Sequence, residues 1–376
     1  MAIDYVEIRD ESTTLLGIID TAQSIIWRSV YFGVGDFEIY VPASQKVVAL
    51  LQAGNFVTRP DNAEVGIIEK INIAYNEQDG RMVTATGRFA KSILERRLIY
   101  NFSNKTNRPT ILTGSVEEAA RQLVYDNAIY YDFDLRRNIP LLALGDSAGL
   151  PQIISDSGGN ATQKQVSYAN LLTYTDELLQ EFGLAATVIL DEDAGKLRYV
   201  VFAGTDRSWD NKAGNDPVLF SKDFDGFVSS SYEYDTTTEK NFALIGGAGE
   251  DLERFFSIVA DWQQGMQRRE MMVEATSLNR TYKDDNDVEQ TYTDAEYRAM
   301  LNATGKQQLN ARNAEEHFHV VLDIQNSRWK YKRDFELGDI VTAQDDDIGK
   351  YVNVRVLEVL EVQDENGYTI EANTQS

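Results

Sequence analysis

The residues best placed to do chemistry fall in three clusters, and each lacks a member. Phe242-Ala243-Leu244-Ile245-Gly246-Gly247-Ala248-Gly249-Glu250-Asp251 begins like a strand entering a phosphate-binding loop. Taking Gly247 and Gly249 as the first two glycines puts Leu252 where the third belongs. Glu250 and Asp251 would stand where the anion binds and oppose it. The next residues, Phe255-Phe256-Ser257-Ile258-Val259, read as a returning strand, so a Gly-rich strand connection is the favoured reading. His317-Phe318-His319 puts two imidazoles on one strand face, with Glu315 and Glu316 upstream, but the spacing fixes no third zinc ligand. Asp284-Asp285-Asn286-Asp287 and Asp345-Asp346-Asp347 could attract calcium, yet neither carries the central Gly and terminal Glu of a calcium loop, and solvated turns are preferred. With 60 acidic residues, no carboxylate pair stands out for glycoside cleavage. Gly-x-Ser-x-Gly and His-Glu-x-x-His are both absent. The expectation is a non-enzyme with no catalytic, cofactor-binding or metal residues and no cofactor.

Composition narrows the field further. The chain has 376 residues, room for two or three domains at ~150 residues each. No cysteine is present, which removes disulfides, thiolate metal sites and thiol nucleophiles together. Only two histidines are left for acid–base work near neutral pH. The net charge of −24 opposes tight binding to phosphate backbones. It serves solubility, and it would also let DNA pass a wall without sticking. No apolar run reaches the ~20 residues of a membrane span, so no stable membrane binding is expected. The acidic start Met1-Ala2-Ile3-Asp4-Tyr5-Val6-Glu7 lacks the features of a secretion signal, so the chain is expected to be cytoplasmic when made.

The elements that must position these residues are mostly strands. Residues 66–75 and 81–86 flank Asn76-Glu77-Gln78-Asp79-Gly80 as a hairpin. Residues 187–190 and 197–202 form a second, and 351–362 with 368–371 a third, turning at Asp364-Glu365-Asn366-Gly367. Helices are marked by Ser115 with Glu118, by apolar spacing over 171–182 stopping at Gly183, and by Thr293 with Glu296. Asn-, Asp-, Gly- or Ser-rich loops fall at 101–109, 156–161 and 205–216. The fold class is β-rich α+β. The expected division is an N-terminal β-barrel domain (1–110), an α+β middle (111–225) and a C-terminal β-barrel domain (226–376) with a helical insertion near 293–311.

One pattern occurs twice. Leu51-Gln52-Ala53-Gly54-Asn55-Phe56-Val57-Thr58 leads through a turn and a β-run to the Asp79-Gly80 hairpin. Phe335-Glu336-Leu337-Gly338-Asp339-Ile340-Val341-Thr342 leads in the same way to Asn366-Gly367. Gly suits a turn with positive φ, and the apolar–Val–Thr tail suits an immediate strand. Gly54 to Gly80 spans 26 positions and Gly338 to Gly367 spans 29, so the copies differ by a small loop change. The echo predicts two related β-barrels, one near each end.

Several segments together resemble the siphovirus tail-protein family typified by the ReqiPepy phage, a group of tail-hub proteins. They are Leu15-Leu16-Gly17-Ile18-Ile19-Asp20, Ile26-Trp27-Arg28 and Gly33-Val34-Gly35-Asp36-Phe37-Glu38-Ile39-Tyr40. Further along come Ile245-Gly246-Gly247-Ala248-Gly249-Glu250 with Arg254, Arg268-Arg269-Glu270-Met271-Met272-Val273-Glu274-Ala275, and Leu337-Gly338-Asp339-Ile340-Val341. Asp251-Leu252 departs from the usual pattern. The resemblance spans almost the whole chain, with 110–220 least diagnostic. It implies kinship with the hubs of contractile tails and secretion-system spikes, homotrimers around a channel with two similar barrels per subunit.

Two functions are therefore expected to compete. The first is a structural tail-tip or baseplate hub subunit at the virion tail tip, a homotrimer joining the tail tube to the tip. Its partners would be the tube or distal tail protein and a tip or receptor-binding protein, with DNA or tape-measure protein only in passage. The alternative is a glycan-binding or cell-wall-degrading tail protein, with Trp209, Trp262 and Trp329 as sugar platforms among the 10% aromatic residues.

Overall fold

Alternation of apolar residues builds most of this protein, because a pleated strand sends successive side chains to opposite faces. The computed structural model of the chain describes residues 3–103, 106–107, 109–156, 159–222, 226–249, 253–283 and 288–375. Strand Ser24–Val30 buries Ile25, Trp27 and Ser29, and Asp36–Pro42 buries Phe37, Ile39 and Val41. The Trp27 ring lies 5.9 Å from Phe37 and 4.8 Å from Phe89, at the heart of one apolar core.

The chain divides into two compact units, Met1–Ser230 with His319–Ser376, and Ser231–Phe318. Within the larger unit, one antiparallel path runs Leu15–Ile19, Val6–Arg9, Phe56–Arg59, Asn62–Asn76, Gly80–Phe89, Asp36–Pro42, Ser24–Val30. A second path runs Leu219–Ser221, Ile340–Asp345, Lys350–Asp364, Gly367–Gln375, Glu315–Asp323, Phe227–Asp235, with its first pairing parallel. Ser24–Val30 pairs with the far half of Lys350–Asp364, from Val30↔Glu358 to Ile25↔Gln363, and joins the two paths into one sheet. The sheet is open: no closed barrel occurs among the described residues, so the two expected barrels appear as two related strand paths. Trp27 lies mid-strand, with Ser24 already paired to Tyr40.

The repeated pattern holds to the register. Val57 faces Gly66 as Val341 faces Val354. The 15-residue strands Asn62–Asn76 and Lys350–Asp364 each slip by one residue, between Ile68 and Lys70 and between Val356 and Glu358. A constant offset carries Ile68 to Val356, Lys70 to Glu358 and the turn residue Asn76 to Asp364. Bulges fix where a strand bends, and two matched bulges mean two matched bends. Gly54 (φ +94°) and Gly338 (φ +91°) take the same left-handed turn ahead of each copy.

Between the two copies, Ala185–Asp191 and Lys196–Phe202 form the expected second hairpin, flanked by Leu142–Leu144 in parallel. Helices Val116–Val124 and Leu171–Glu181 pack Leu123, Val124, Leu178 and Leu179 into the same core as Val188 and Val201. Ser115 caps its helix by accepting from Glu118 N, but the Glu118 carboxylate takes the Ser147 hydroxyl instead of completing the box. Gly183 (φ +70°) follows the second helix as its spacing predicts.

The smaller unit has its own sheet, Phe256–Ala260, Phe242–Gly246, Glu270–Glu274, covered by helix Asp294–Asn310. Tyr297, Leu301 and Gly305 face Ala243 and Ile245, and a Cβ at Gly305 would stand 2.7 Å from Ile245 Cδ1. Here the capping box is complete between Thr293 and Glu296. Thr293→Ala is expected to cost about 1 kcal/mol, read as a lower unfolding midpoint for this unit. An unchanged midpoint would mean the cap does not hold the helix.

Candidate functional site

The clusters that began the sequence reading do not converge on a reaction. Gly247 N donates to Phe255 O and Phe255 N to Ala248 O, so the Gly-rich segment turns between two antiparallel strands. Ala248 N is taken by Tyr297 Oη at 2.7 Å, a donor that a phosphate would need. Glu250, Asp251 and Leu252 lie outside the described residues, as does the run 284–287. His317 and His319 are both exposed on Glu315–Asp323, and His317 Nε2 lies 3.5 Å from Glu315 Oε2. Asp345 is buried and accepts from Ser230 Oγ at 3.1 Å, Asp346 accepts from Gln344 Nε2 at 2.9 Å, and Asp347 pairs with Lys222. Among the described residues no group of three or more His, Asp or Glu could hold a metal. Trp329 is half-buried with its indole N–H donating to Leu219 O at 2.6 Å, whereas Trp209 and Trp262 are exposed.

The most concentrated electrostatics lie instead where the first copy of the repeated pattern meets the second. Strand Phe56–Arg59 ends on Arg59, whose guanidinium is buried. It donates to Asp61 Oδ1 at 3.0 Å and Oδ2 at 2.6 Å, and to Glu361 Oε1 at 3.2 Å and Oε2 at 3.0 Å. Glu361, 302 positions away and also buried, faces Trp27 across the sheet and accepts from Tyr368 Oη at 2.8 Å. The Arg59 guanidinium lies 5.2 Å from the Trp27 ring centroid. Lys332 Nζ donates to the Asp61 carbonyl at 2.6 Å. A recess of about 440 Å³ opens beside the cluster, lined by Asp61, Tyr331, Lys332, Arg333 and Glu361.

This arrangement spends its charges internally. Burial works against the charge on Arg59, but Asp61 and Glu361 outweigh it and hold the guanidinium above its ordinary range. Burial likewise pushes Asp61 up, and Arg59 pulls it below its usual value. Burial and Glu361 raise Tyr368, leaving it a hydrogen-bond donor rather than a nucleophile. With four of its five N–H donors taken by Asp61 and Glu361, the guanidinium binds two ends of one chain together instead of a ligand. Nothing in sequence spacing could have paired Arg59 with Glu361; the only trace is a charge where strand alternation calls for an inward residue.

Glu64, next to this cluster, behaves differently. Its carboxylate accepts from the Ser29 hydroxyl, and burial lifts it to about 7, partly countered by Ser29, Lys91 and Lys332. The folded chain therefore holds a proton that the unfolded chain has lost between about 4.5 and 7. Stability supplied by this group is complete below the unfolded value and drains away as pH rises through the folded one. Glu64→Gln is expected to unfold like the parent at pH 4.5 and to be more stable at pH 8 by on the order of 2 kcal/mol. Urea midpoints across that range check it, and parallel curves would contradict it.

A family profile described as Siphovirus ReqiPepy6 Gp37-like protein matches residues 5–374. No curated protein matches the sequence. Among solved structures, a tail protein from Neisseria meningitidis MC58 is similar at 14% identity and TM-score 0.53, over 99% of this chain and 96% of that one. The 43 kDa tail protein of prophage MuSo2 from Shewanella oneidensis is similar at 10% identity and TM-score 0.53, covering 98% of each chain. Prophage tail protein gp18 from Listeria monocytogenes EGD-e is similar at 12% identity and TM-score 0.51, over 99% of this chain and 94% of that one. At these identities the likeness is one of fold.

Proposed function

The chain belongs to the Siphovirus ReqiPepy6 Gp37-like protein family, and we propose on that premise that it is a structural subunit of a phage tail-tip hub. Three copies form a ring that joins the tail tube to the tip and surrounds a channel for DNA or tape-measure protein. The observation that carries this reading is the matched pair of bulged hairpins at the two ends of one chain. Two similar halves in each of three chains give six similar units, which lets a three-fold tip meet a six-fold tube. The Arg59–Glu361 clip supports it, since a ring of this kind needs the two halves of each chain held in fixed register.

The protein acts by shape, without catalysis, and its neighbours are other tail proteins. With a net charge of −24, a channel wall drawn from its acidic residues would repel passing DNA rather than hold it. Light scattering on the purified full chain tests the assembly. The expected mass at high concentration is three times 42.4 kDa; a monomer at every concentration would count against the ring. Incubation with cell-wall glycans is expected to give neither turnover nor saturable binding, and either result would favour a glycan-directed role.

A further inference from the structure

The two copies of the bulged hairpin differ in what covers their outer edge. In the second copy, residues 358–363 pair with residues 25–30 of Ser24–Val30. In the first copy the matching residues are 70–75, and among the described residues their only ladder is with Gly80–Phe89 on the opposite edge. Glu361 is 3% exposed, while Ile73 at the matching position is 46% exposed and Tyr75 is 67% exposed. An apolar, unpaired strand edge of this length is a template for a further strand.

The missing strand has a counterpart in the chain. Ser24–Val30 lies beyond Asp36–Pro42, which lies beyond Gly80–Phe89. At the equivalent place in the second path, Phe227–Asp235 lies beyond Glu315–Asp323, which lies beyond Gly367–Gln375. Phe227–Asp235 ends its path, and Val228 on it is 53% exposed. Among the described residues, one strand that pairs inside the chain thus has an equivalent that ends its path, and one edge that is covered inside the chain has an equivalent with no ladder. Charge agrees with their meeting. The internal junction carries Arg28 Nη1 to Glu358 Oε2 at 3.0 Å; the edge at 70–75 has Lys70 in the place of Glu358, and Phe227–Asp235 carries Glu233 and Asp235.

We infer that strand Phe227–Asp235 of one copy of this chain adds to the outer edge of residues 70–76 in the next copy, repeating between chains the junction that Ser24–Val30 makes within one. The inference rests on the ring reading above and names the surface that closes it. The contact is head-to-tail, so it produces either a closed ring or an open filament, and three copies close it. Each ring then alternates first and second halves through one continuous sheet.

The chain has no cysteine, so introduced thiols report on this contact alone. Ile73→Cys is combined in turn with Val228→Cys, Ser229→Cys and Ser230→Cys in the full chain, and each variant is oxidised. Reducible dimer and trimer bands are expected, with one of the three pairs dominating. In parallel, Ile73→Lys with Tyr75→Lys is expected to abolish the trimer mass while leaving the circular dichroism spectrum unchanged. A trimer that survives the lysines and gives no cross-link overturns the edge pairing but leaves the ring, joined elsewhere. A parent chain that never trimerises overturns both. A ladder of cross-linked bands beyond three upholds the edge and overturns closure at three.

Discussion

Replacing Arg59 with methionine is expected to lower the stability of the larger unit by about 3–5 kcal/mol. The loss comes from what is left behind more than from what is removed. Glu361 is buried and would keep only the Tyr368 hydroxyl as a donor, and Asp61 would lose both of its guanidinium bonds. A buried carboxylate without its cation costs more than the pair contributes, because desolvation is no longer offset. Converting both partners, Arg59→Met with Glu361→Leu, is therefore expected to recover most of the loss. A double-mutant cycle on urea midpoints measures the coupling. Simple additivity of the two single changes would show that the residues do not act as a clip.

The second large effect separates the two glycines that head the repeated pattern. Gly54 and Gly338 share a left-handed φ, so alanine strains both backbones by roughly 1–2 kcal/mol. Their surroundings differ. A Cβ at Gly54 would meet only Glu11 Oε1, at 3.2 Å, the far end of a flexible side chain. A Cβ at Gly338 would run into the ring of Tyr31, which is fully buried. That ring cannot retreat, since its hydroxyl donates to Gly183 O at 2.8 Å and accepts from Gly204 N at 3.1 Å. The Arg355 guanidinium lies 5.2 Å from the Tyr31 ring and also donates to Gly338 O at 2.7 Å. Overpacking adds ~1–3 kcal/mol to the strain, so Gly338→Ala is expected to cost about 3–4 kcal/mol and Gly54→Ala about 1. Equal losses would mean that the backbone alone decides, and that the Tyr31 contact is not tight.

What could be read from the sequence, and what could not, divides along the range of the interactions. The three hairpins were legible because each depends on neighbours in the chain: a β-run, a turn with Gly, a β-run. The Thr293 cap was legible for the same reason. The echo around Gly54 and Gly338 was visible as residue types, and the matched bulges explain it in physical terms. Strand patterns say which face is buried and not which edges meet, so closure of each copy into a barrel is not legible from them, and no closed barrel occurs among the described residues. The parallel pairing of Leu219–Ser221 with Ile340–Asp345 leaves no local trace, nor does the Arg59–Glu361 contact across 302 positions. The difference between the covered and the open edge is invisible for the same reason. Ile73 and Glu361 occupy equal places in equal hairpins, and what sets them apart is the strand, the Arg59 fork and the Tyr368 hydroxyl around Glu361.

The proposal stands or falls on whether copies of this chain build an annulus. Negative-stain imaging of the purified full chain at high concentration addresses it directly. The expected particle is a ring with a central hole, three-fold in mass and with six similar lobes around its rim. Solid particles of one or two chains, or rings whose lobes number other than six, would contradict the reading of two equivalent halves per subunit.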